Sequence, residues 1–238
     1  MVTGATAGIG RAIAQQLAAL GAEVVVHGRS PERGAETVRA IENGGGKARF
    51  VAADLSRADD VRRLADEAGP VDILINNAGV YRFGATADTD DAFFDEHVNL
   101  NLNLRAPYIL VQKLVPGMAE RGHGAVVNIS TLAASTPARQ AGIYGATKAG
   151  VELLTRVWAD EFGRSGVRVN TVAAGPTETP GTAATPGLTD GLATTTALGR
   201  VADPDEIAHA VTFLASPDAS YINGAILHAT GGQLAVAP

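Results

Sequence analysis

Short aliphatic and β-branched runs recur along the chain, and between them the apolar positions fall three and four residues apart. The runs lie at 24–26, 48–51, 71–75, 125–129, 167–172 and 225–227, mostly apolar throughout rather than alternating. That pattern is expected of strands covered on both faces, as in a parallel sheet. Ile9, Ile13, Leu17 and Leu20 share one helical face, with Gly21 as a stop. Ser30 and Pro31 open a second helix that Gly44-Gly45-Gly46 closes, and Ser56 is placed to cap a third running to about Ala68. Further helices are expected at about 98–119 and 144–162, and a last one at 204–215 behind Asp203 as N-cap. Strand and helix alternating from end to end predict an α/β, doubly wound parallel sheet with helices on both faces. No repeat, low-complexity tract or linker interrupts the pattern, so residues 1–238 read as one domain. Only Met1 and Val2 precede the first glycine turn. Either the first strand is very short or the chain begins later than its ancestor did.

Composition narrows the class. With 46% hydrophobic and 18% charged residues among 238, the chain can bury a substantial core, which excludes disorder as the main state. A net charge of −6 leaves no basic footprint for nucleic acid or an anionic membrane surface. The absence of Cys excludes disulfides, thiolate catalysis and Cys-ligated metals. The apolar runs fall well short of a membrane span, and no charged segment followed by an apolar one opens the chain as a secretory leader would. A cytoplasmic protein is expected. Glycine, at 28 residues, is abundant and aromatics are only 5%, which suits aliphatic strands joined to helices by tight turns. The five histidines show no metal-ligand spacing, so no metal site is expected; His27 alone draws notice, at the end of a strand.

Two constellations carry candidate chemistry. Thr3-Gly4-Ala5-Thr6-Ala7-Gly8-Ile9-Gly10 leads straight into a helix. Strand, glycine turn and helix N-terminus together make an anion site, because open backbone N–H groups and the helix dipole favour negative charge and glycine lets a pyrophosphate come close. Read alone it could equally be a tight turn. Tyr144-Gly145-Ala146-Thr147-Lys148 puts a phenol and an ammonium on one helical face. A nearby cation favours the phenolate and would bring Tyr144 toward a range useful for general acid–base work. Alone, the pair could be a surface tyrosine and a solvated lysine.

With these motifs the chain resembles the short-chain dehydrogenase/reductase family, among whose members it is similar to 3-oxoacyl-acyl-carrier-protein reductases. Asn77-Ala78-Gly79 after the strand ending at Ile75, Asp54-Leu55, Gly199-Arg200 with Pro204-Asp205-Glu206, and Tyr221-Ile222-Asn223-Gly224 extend the match in family order from Thr3 to about Gly232. The resemblance implies a Rossmann fold whose seven-stranded sheet has the order 3-2-1-4-5-6-7. It also implies an NAD(P) cofactor and hydride exchange between nicotinamide and a carbonyl or secondary alcohol. It places the cofactor against Gly4, Thr6, Gly8, Ile9, Gly10, Gly28, Arg29, Asp54, Leu55, Asn77, Ala78, Gly79, Pro176, Thr177 and Thr179, together with Tyr144 and Lys148. Tyr144 becomes the proton donor, Lys148 its partner, and an Asn supports a relay through Lys148. Counting back from Pro116-Gly117-Met118 selects Asn103 for that role; counting forward from Phe94 selects Asn101, and Asn103 is preferred. The substrate-orienting hydroxyl is usually a Ser thirteen residues before the Tyr, a position held here by Thr131, with Ser130 the neighbouring alternative. Ala174 and Thr230 also depart from the family's usual Pro and Asp.

Cofactor choice turns on Gly28, which stands where an NAD enzyme usually carries an acid for the ribose hydroxyls. Arg29, aided by Arg11 or Arg33, could instead pair with a 2′-phosphate, so NADP is preferred over NAD. Thr, Gly and Ala dominate about 180–198, which the resemblance makes a mobile substrate lid, and its lack of charge suits an uncharged substrate. The expected reaction is NADPH-dependent ketone reduction. Its rivals are an NAD-dependent secondary alcohol or sugar dehydrogenase and a non-catalytic nucleotide-binding relative. Val151, Leu154, Val157 and Trp158 offer more apolar surface than one sheet face can cover, which predicts a homotetramer like those of the family.

Overall fold

The computed structural model describes residues 1–93 and 103–233. Its strands are β1 (Glu23–Gly28), β2 (Lys47–Ala52), β3 (Ile73–Asn76), β4 (Gly124–Thr131), β5 (Val167–Ala174) and β6 (Ile226–Ala229). The helices are α1 (Gly8–Ala19), α2 (Pro31–Asn43), α3 (Ala58–Ala68), α4 (Arg105–Arg121), α5 (Gly142–Gly163), α6 (Pro180–Ala183), α7 (Leu188–Ala193) and α8 (Pro204–Ala215). All strand pairings are parallel: β1 with β2, and β3, β4, β5 and β6 in that order.

A full seventh strand is not found among the described residues. In its place Val2 forms single parallel bridges to Val26 and to Ile75, joining the β1–β2 pair to the other four strands. The Val2 N–H donates to the Val25 carbonyl at 3.0 Å and the His27 N–H to the Val2 carbonyl at 3.1 Å. The Thr3 N–H completes the seam on Ile75 at 3.0 Å. The reason is length: the chain turns at Gly4, whose φ of +64° ends extended backbone two residues after Val2. Strand order still follows the expected 3-2-1-4-5-6-7, with Val2 standing for the central strand.

Period-two alternation explains why the strand runs are apolar on consecutive positions. Val24 and Val26 enter one core with α1 and α8, whereas Val25 enters the other with α3 and α4. In β4, Val127 and Val126 divide the same way. Fully buried Ile13, Leu64, Leu74 and Leu110 anchor these two layers, each contributing about 1.5–3 kcal/mol relative to exposure. At the edge, β2 keeps only Val51 fully buried, so the expectation of cover on both faces fails there.

Helix starts follow local chemistry. Ser30 accepts from the Arg33 N–H with Pro31 in the first turn, and Asp203 and Glu206 form a reciprocal capping box on α8. Ser56 does not cap α3; Arg57 occupies that position without a side-chain bond, and the Asp60 carboxylate instead takes the Asp54 N–H at 3.0 Å. The expected lid region 180–198 contains α6 and α7. Thr179 starts α6 through a capping box with Thr182.

Behind the strand ends runs a buried polar seam. Asn76 Nδ2 donates to Asn128 Oδ1 at 2.8 Å, and Asn128 Nδ2 donates to Thr155 Oγ1 at 2.8 Å. Thr155 shares a hydrogen with Thr171 at 2.7 Å. The seam ties β3, β4 and β5 to α5, the helix that carries Tyr144 and Lys148.

Candidate active site

The glycine turn is shaped by contacts that tolerate no side chain. Gly4 and Gly8 take φ of +64° and +49°, in the left-handed region. A Cβ on Gly10 would fall on the Gly4 carbonyl oxygen and the Asn77 amide. Asn77 Nδ2 donates to the Thr3 and Gly4 carbonyls at 2.9 and 3.2 Å, and Thr3 Oγ1 accepts from the Asn77 and Ala78 N–H groups. Ala7 at the head of α1 makes no side-chain cap, and no acid stands in the first turn. Open N–H groups and the positive helix end therefore face the cavity beside Ala7, Gly8, Ile9 and Gly10. This is a cradle for a phosphate-bearing cofactor.

His27 is a strut of that turn. The Gly4 N–H donates to its Nδ1 at 3.1 Å, so Nε2 carries the hydrogen and donates to the Ala53 carbonyl at 3.1 Å. Burial pulls the imidazole down to about 4, which keeps the ring neutral and the pairing intact.

Tyr144 and Lys148 arrive on α5 opposite the end of β4. Thr131 and Tyr144 line the same cavity, close enough for the Thr131 hydroxyl to favour the ionised phenol. Burial pushes that phenol up to about 12, against the pull of Thr131 and with a small further push from Tyr81. Lys148 Nζ donates to the Ile129 carbonyl at 2.8 Å, and burial alone brings it down to about 8. The expected lowering of Tyr144 by Lys148 is thus not found. Desolvation outweighs it, and the ammonium is spent on a backbone carbonyl. At neutral pH the Tyr144 phenol is therefore protonated.

The two neighbouring hydroxyls diverge, as alternation on a strand requires. Thr131 meets Tyr144, whereas buried Ser130 donates to Glu152 Oε1 at 2.6 Å. Asn103 is 1% exposed and pairs with both main-chain groups of Val80 at 2.9 Å, its Nδ2 also reaching Thr147 Oγ1 at 3.2 Å. A Cβ on Gly79 would stand 3.0 Å from Asn103 Oδ1 and 3.3 Å from Lys148 Nζ, so Gly79 alone separates the two. Asn101 lies outside the described residues.

Ser130, Thr131, Tyr144, Lys148 and Gly79 line one open cavity of about 650 Å³, whereas Asn103 and Glu152 stand outside its lining. Its floor takes Arg29, Asn77, Gly79, Ser130, Thr131, Tyr144 and Lys148, and its far wall Pro176, Thr177 and Thr179. Gly4, Thr6, Gly28 and Ala78 sit just behind the lining. A Cβ on Gly28 would come 2.5 Å from Thr6 Cγ2. Asp54 Oδ1 accepts from the Ser56 N–H at 3.0 Å, and the Leu55 side chain is buried in the core, so neither side chain reaches the cavity. Arg33 lines the cavity beside Arg29, whereas Arg11 does not. Sequence reasoning missed Glu152, which the spacing of four from Lys148 already put on the same helical face, and the aromatic pair Tyr81 and Phe83. Phe83 meets Tyr144 edge to face at 6.0 Å. Among the described residues no group of three or more His, Asp or Glu could hold a metal ion.

Residues 4–233 match the family model described as enoyl-(acyl carrier protein) reductase. The chain belongs to the short-chain dehydrogenase/reductase family. A solved structure described as a short chain dehydrogenase/reductase family protein is 48% identical, with a TM-score of 0.90 over 99% of this chain and 96% of that one. The 3-oxoacyl-(acyl-carrier-protein) reductase FabG of Vibrio harveyi is 38% identical over 99% of this chain and 97% of its own. A solved protein from Beutenbergia cavernae described as a "putative NAD(P) dependent gluconate 5-dehydrogenase", with bound NADP, is 35% identical. Its TM-score is 0.92, over 98% of this chain and 95% of that one. This short-chain dehydrogenase/reductase is an NAD(P)-linked oxidoreductase of the alcohol–carbonyl class, and no helix among its described residues is long and apolar enough to cross a membrane.

In this short-chain dehydrogenase/reductase, Gly10→Ala must displace either the Gly4 carbonyl or the Asn77 amide. Dinucleotide affinity, read by quenching or transfer of nicotinamide fluorescence, should fall by at least about tenfold, the size of one lost interaction of roughly 1.4 kcal/mol.

Proposed function

We propose that this oxidoreductase reduces a ketone with NADPH. The observation that carries the reading is that Tyr144, a phenol held protonated by burial, lines the same cavity as the Thr131 hydroxyl. A proton donor is what the reductive direction needs. The cavity end beside the glycine turn supports the choice of NADPH. Arg29 and Arg33 line it, and Gly28 brings no carboxylate to repel a 2′-phosphate.

Gly8, Ile9 and Gly10 would hold the pyrophosphate, Asp54 and Leu55 would flank the adenine through their backbone, and Thr177 and Thr179 would border the nicotinamide. The chemistry that NADPH supplies when bound is a hydride to the carbonyl carbon, leaving NADP⁺. Thr131 donates a hydrogen bond to the carbonyl oxygen and orients it. Tyr144 Oη delivers the proton as the carbonyl becomes an alcohol, and Lys148, beside Asn103, is placed to resupply it. The stretch 180–198 closes over the substrate as a lid. Oxidation of a secondary alcohol or sugar is the same path in reverse. It requires an ionised Tyr144, which burial opposes.

The protein is proposed to work as a cytoplasmic homotetramer. Of the residues expected to form the interface, Val151 and Trp158 are buried within the chain. Leu153, Val157 and Tyr108 remain exposed on α4 and α5 and are the surface offered to a second copy. Light scattering at micromolar concentration should give a tetramer mass; a monomer mass would sink the idea.

Thr131→Ala should lower kcat by a factor on the order of 10²–10³, as loss of an oxyanion donor does, with Thr131→Ser active. Ser130→Ala should leave kcat within a few-fold and instead lower Tm, because Glu152 loses its partner. Wild-type enzyme should use NADPH better than NADH by kcat/KM. Gly28→Asp alone should weaken both cofactors, because its Cβ needs the room of the Thr6 methyl; Gly28→Asp with Thr6→Ala should favour NADH.

The pH profile follows from Lys148. Its ammonium is lost as pH rises through about 8, so the reductive rate should fall above that value while Tyr144 stays protonated. Stability should respond in the opposite sense. The unfolded chain keeps this proton to its ordinary value of 10.5, so Lys148 contributes more stability as pH rises from about 8 to 10.5. A rate loss tracking unfolding would refute the assignment.

A further inference from the structure

We infer that the substrate end of the cavity is built for an uncharged carbocyclic ketone, aryl or cyclohexyl, and excludes ketones that carry a carboxylate. The inference rests on the reductase reading above and names the substrate class of the same site.

Three aromatic rings gather at that end. Phe83 stands edge to face with Tyr144 at 75° between ring planes, and Tyr81 lies close enough to Tyr144 to influence its ionisation. Both Tyr81 and Phe83 line the cavity yet remain 49% and 53% exposed, so their rings present uncovered apolar surface there. Facing them are Leu188 and Leu192, one turn apart on α7. Tyr81 also closes the roof: a Cβ on Gly181 would fall on its hydroxyl, so the phenol rests directly on the backbone of α6.

The charges lie elsewhere. Among the described lining residues the cations are Arg29 and Arg33, beside the glycine turn, and Lys148, whose ammonium is bonded to the Ile129 carbonyl. Two neutral polar side chains at the substrate end bond within the protein. Thr182 Oγ1 donates to the Thr177 carbonyl at 2.9 Å, and Gln233 Nε2 reaches Thr195 Oγ1 at 3.4 Å. A carboxylate set against Phe83 and Leu192 would lose its water with no cation to replace it. A flat hydrocarbon ring meets ring edges and leucine methyls instead, while its ketone oxygen reaches Thr131 and Tyr144.

The test uses pairs on the same ring, one member of each carrying a carboxylate. With NADPH at pH 7, kcat/KM for 4-methylcyclohexanone should exceed that for 4-oxocyclohexanecarboxylate by about 100-fold, the size expected when a site leaves a polar group unpaired. A second readout needs no turnover. By calorimetry on the wild-type protein, cyclohexanecarboxamide should bind at least about tenfold tighter than cyclohexanecarboxylate, and Phe83→Ala should weaken the amide by about the same factor. Phe83 is half-exposed, so that variant should fold; Gly181→Ala, which displaces the Tyr81 roof, provides an independent second variant. Equal or better binding or turnover of the carboxylates overturns the substrate class and leaves the reductase reading standing. Measurable NADPH binding with no reduction of any ketone, charged or neutral, overturns the reductase reading, and the calorimetric pair then decides the ring seat by itself.

Discussion

The α-carbon of Gly10 lies against the Gly4 carbonyl and the Asn77 amide, and the rest of the site depends on that contact. It presses the first turn of α1 onto the end of β3, which the Asn77 side chain holds by bonds to Thr3 and Gly4. The same turn is fastened on its other side by neutral His27, reaching across to Ala53. Three segments distant in sequence are thereby brought to one point at the carboxyl ends of the strands. In open α/β sheets that is where a ligand crevice forms.

Burial sets the chemistry from this frame. The polar seam through Asn76, Asn128, Thr155 and Thr171 holds α5 against the strands, so Tyr144 and Lys148 are presented on a rigid helix. Desolvation then moves the pair apart, the phenol up to about 12 and the ammonium down to about 8. Both stay protonated at neutral pH, which suits proton delivery to a carbonyl. Glu152, the third residue of that helical face, accepts a hydrogen bond from Ser130, while Thr131 lines the cavity with the phenol.

Local signals read correctly from the chain were those with a short physical range. Ser30-Pro31 and Asp203 with Glu206 cap their helices because capping is decided within four residues. The helical spacing of Tyr144 and Lys148 was equally legible. Ser56 failed as a cap because Asp60, four residues on, offered a carboxylate to the turn before it. The ionisation of Tyr144 also could not be read from spacing. Its sign depends on how much water the fold removes, and that is a property of the assembled cavity.

Sequence periodicity thus determined the alternating architecture, the glycine turn at a helix start and the shared helical face of Tyr144 and Lys148, because these patterns are local; Thr131 was brought to them only by the family resemblance. Only the tertiary structure decided what those residues touch. It showed that Ser130 bonds Glu152 and that Gly79 lies close to both Asn103 and Lys148. It also showed that a side chain at 28 would contend with Thr6, and that Tyr81 roofs the cavity over Gly181. Each is a contact between segments far apart in the chain, set by close packing of backbone against side chain, and no local pattern encodes such a distance.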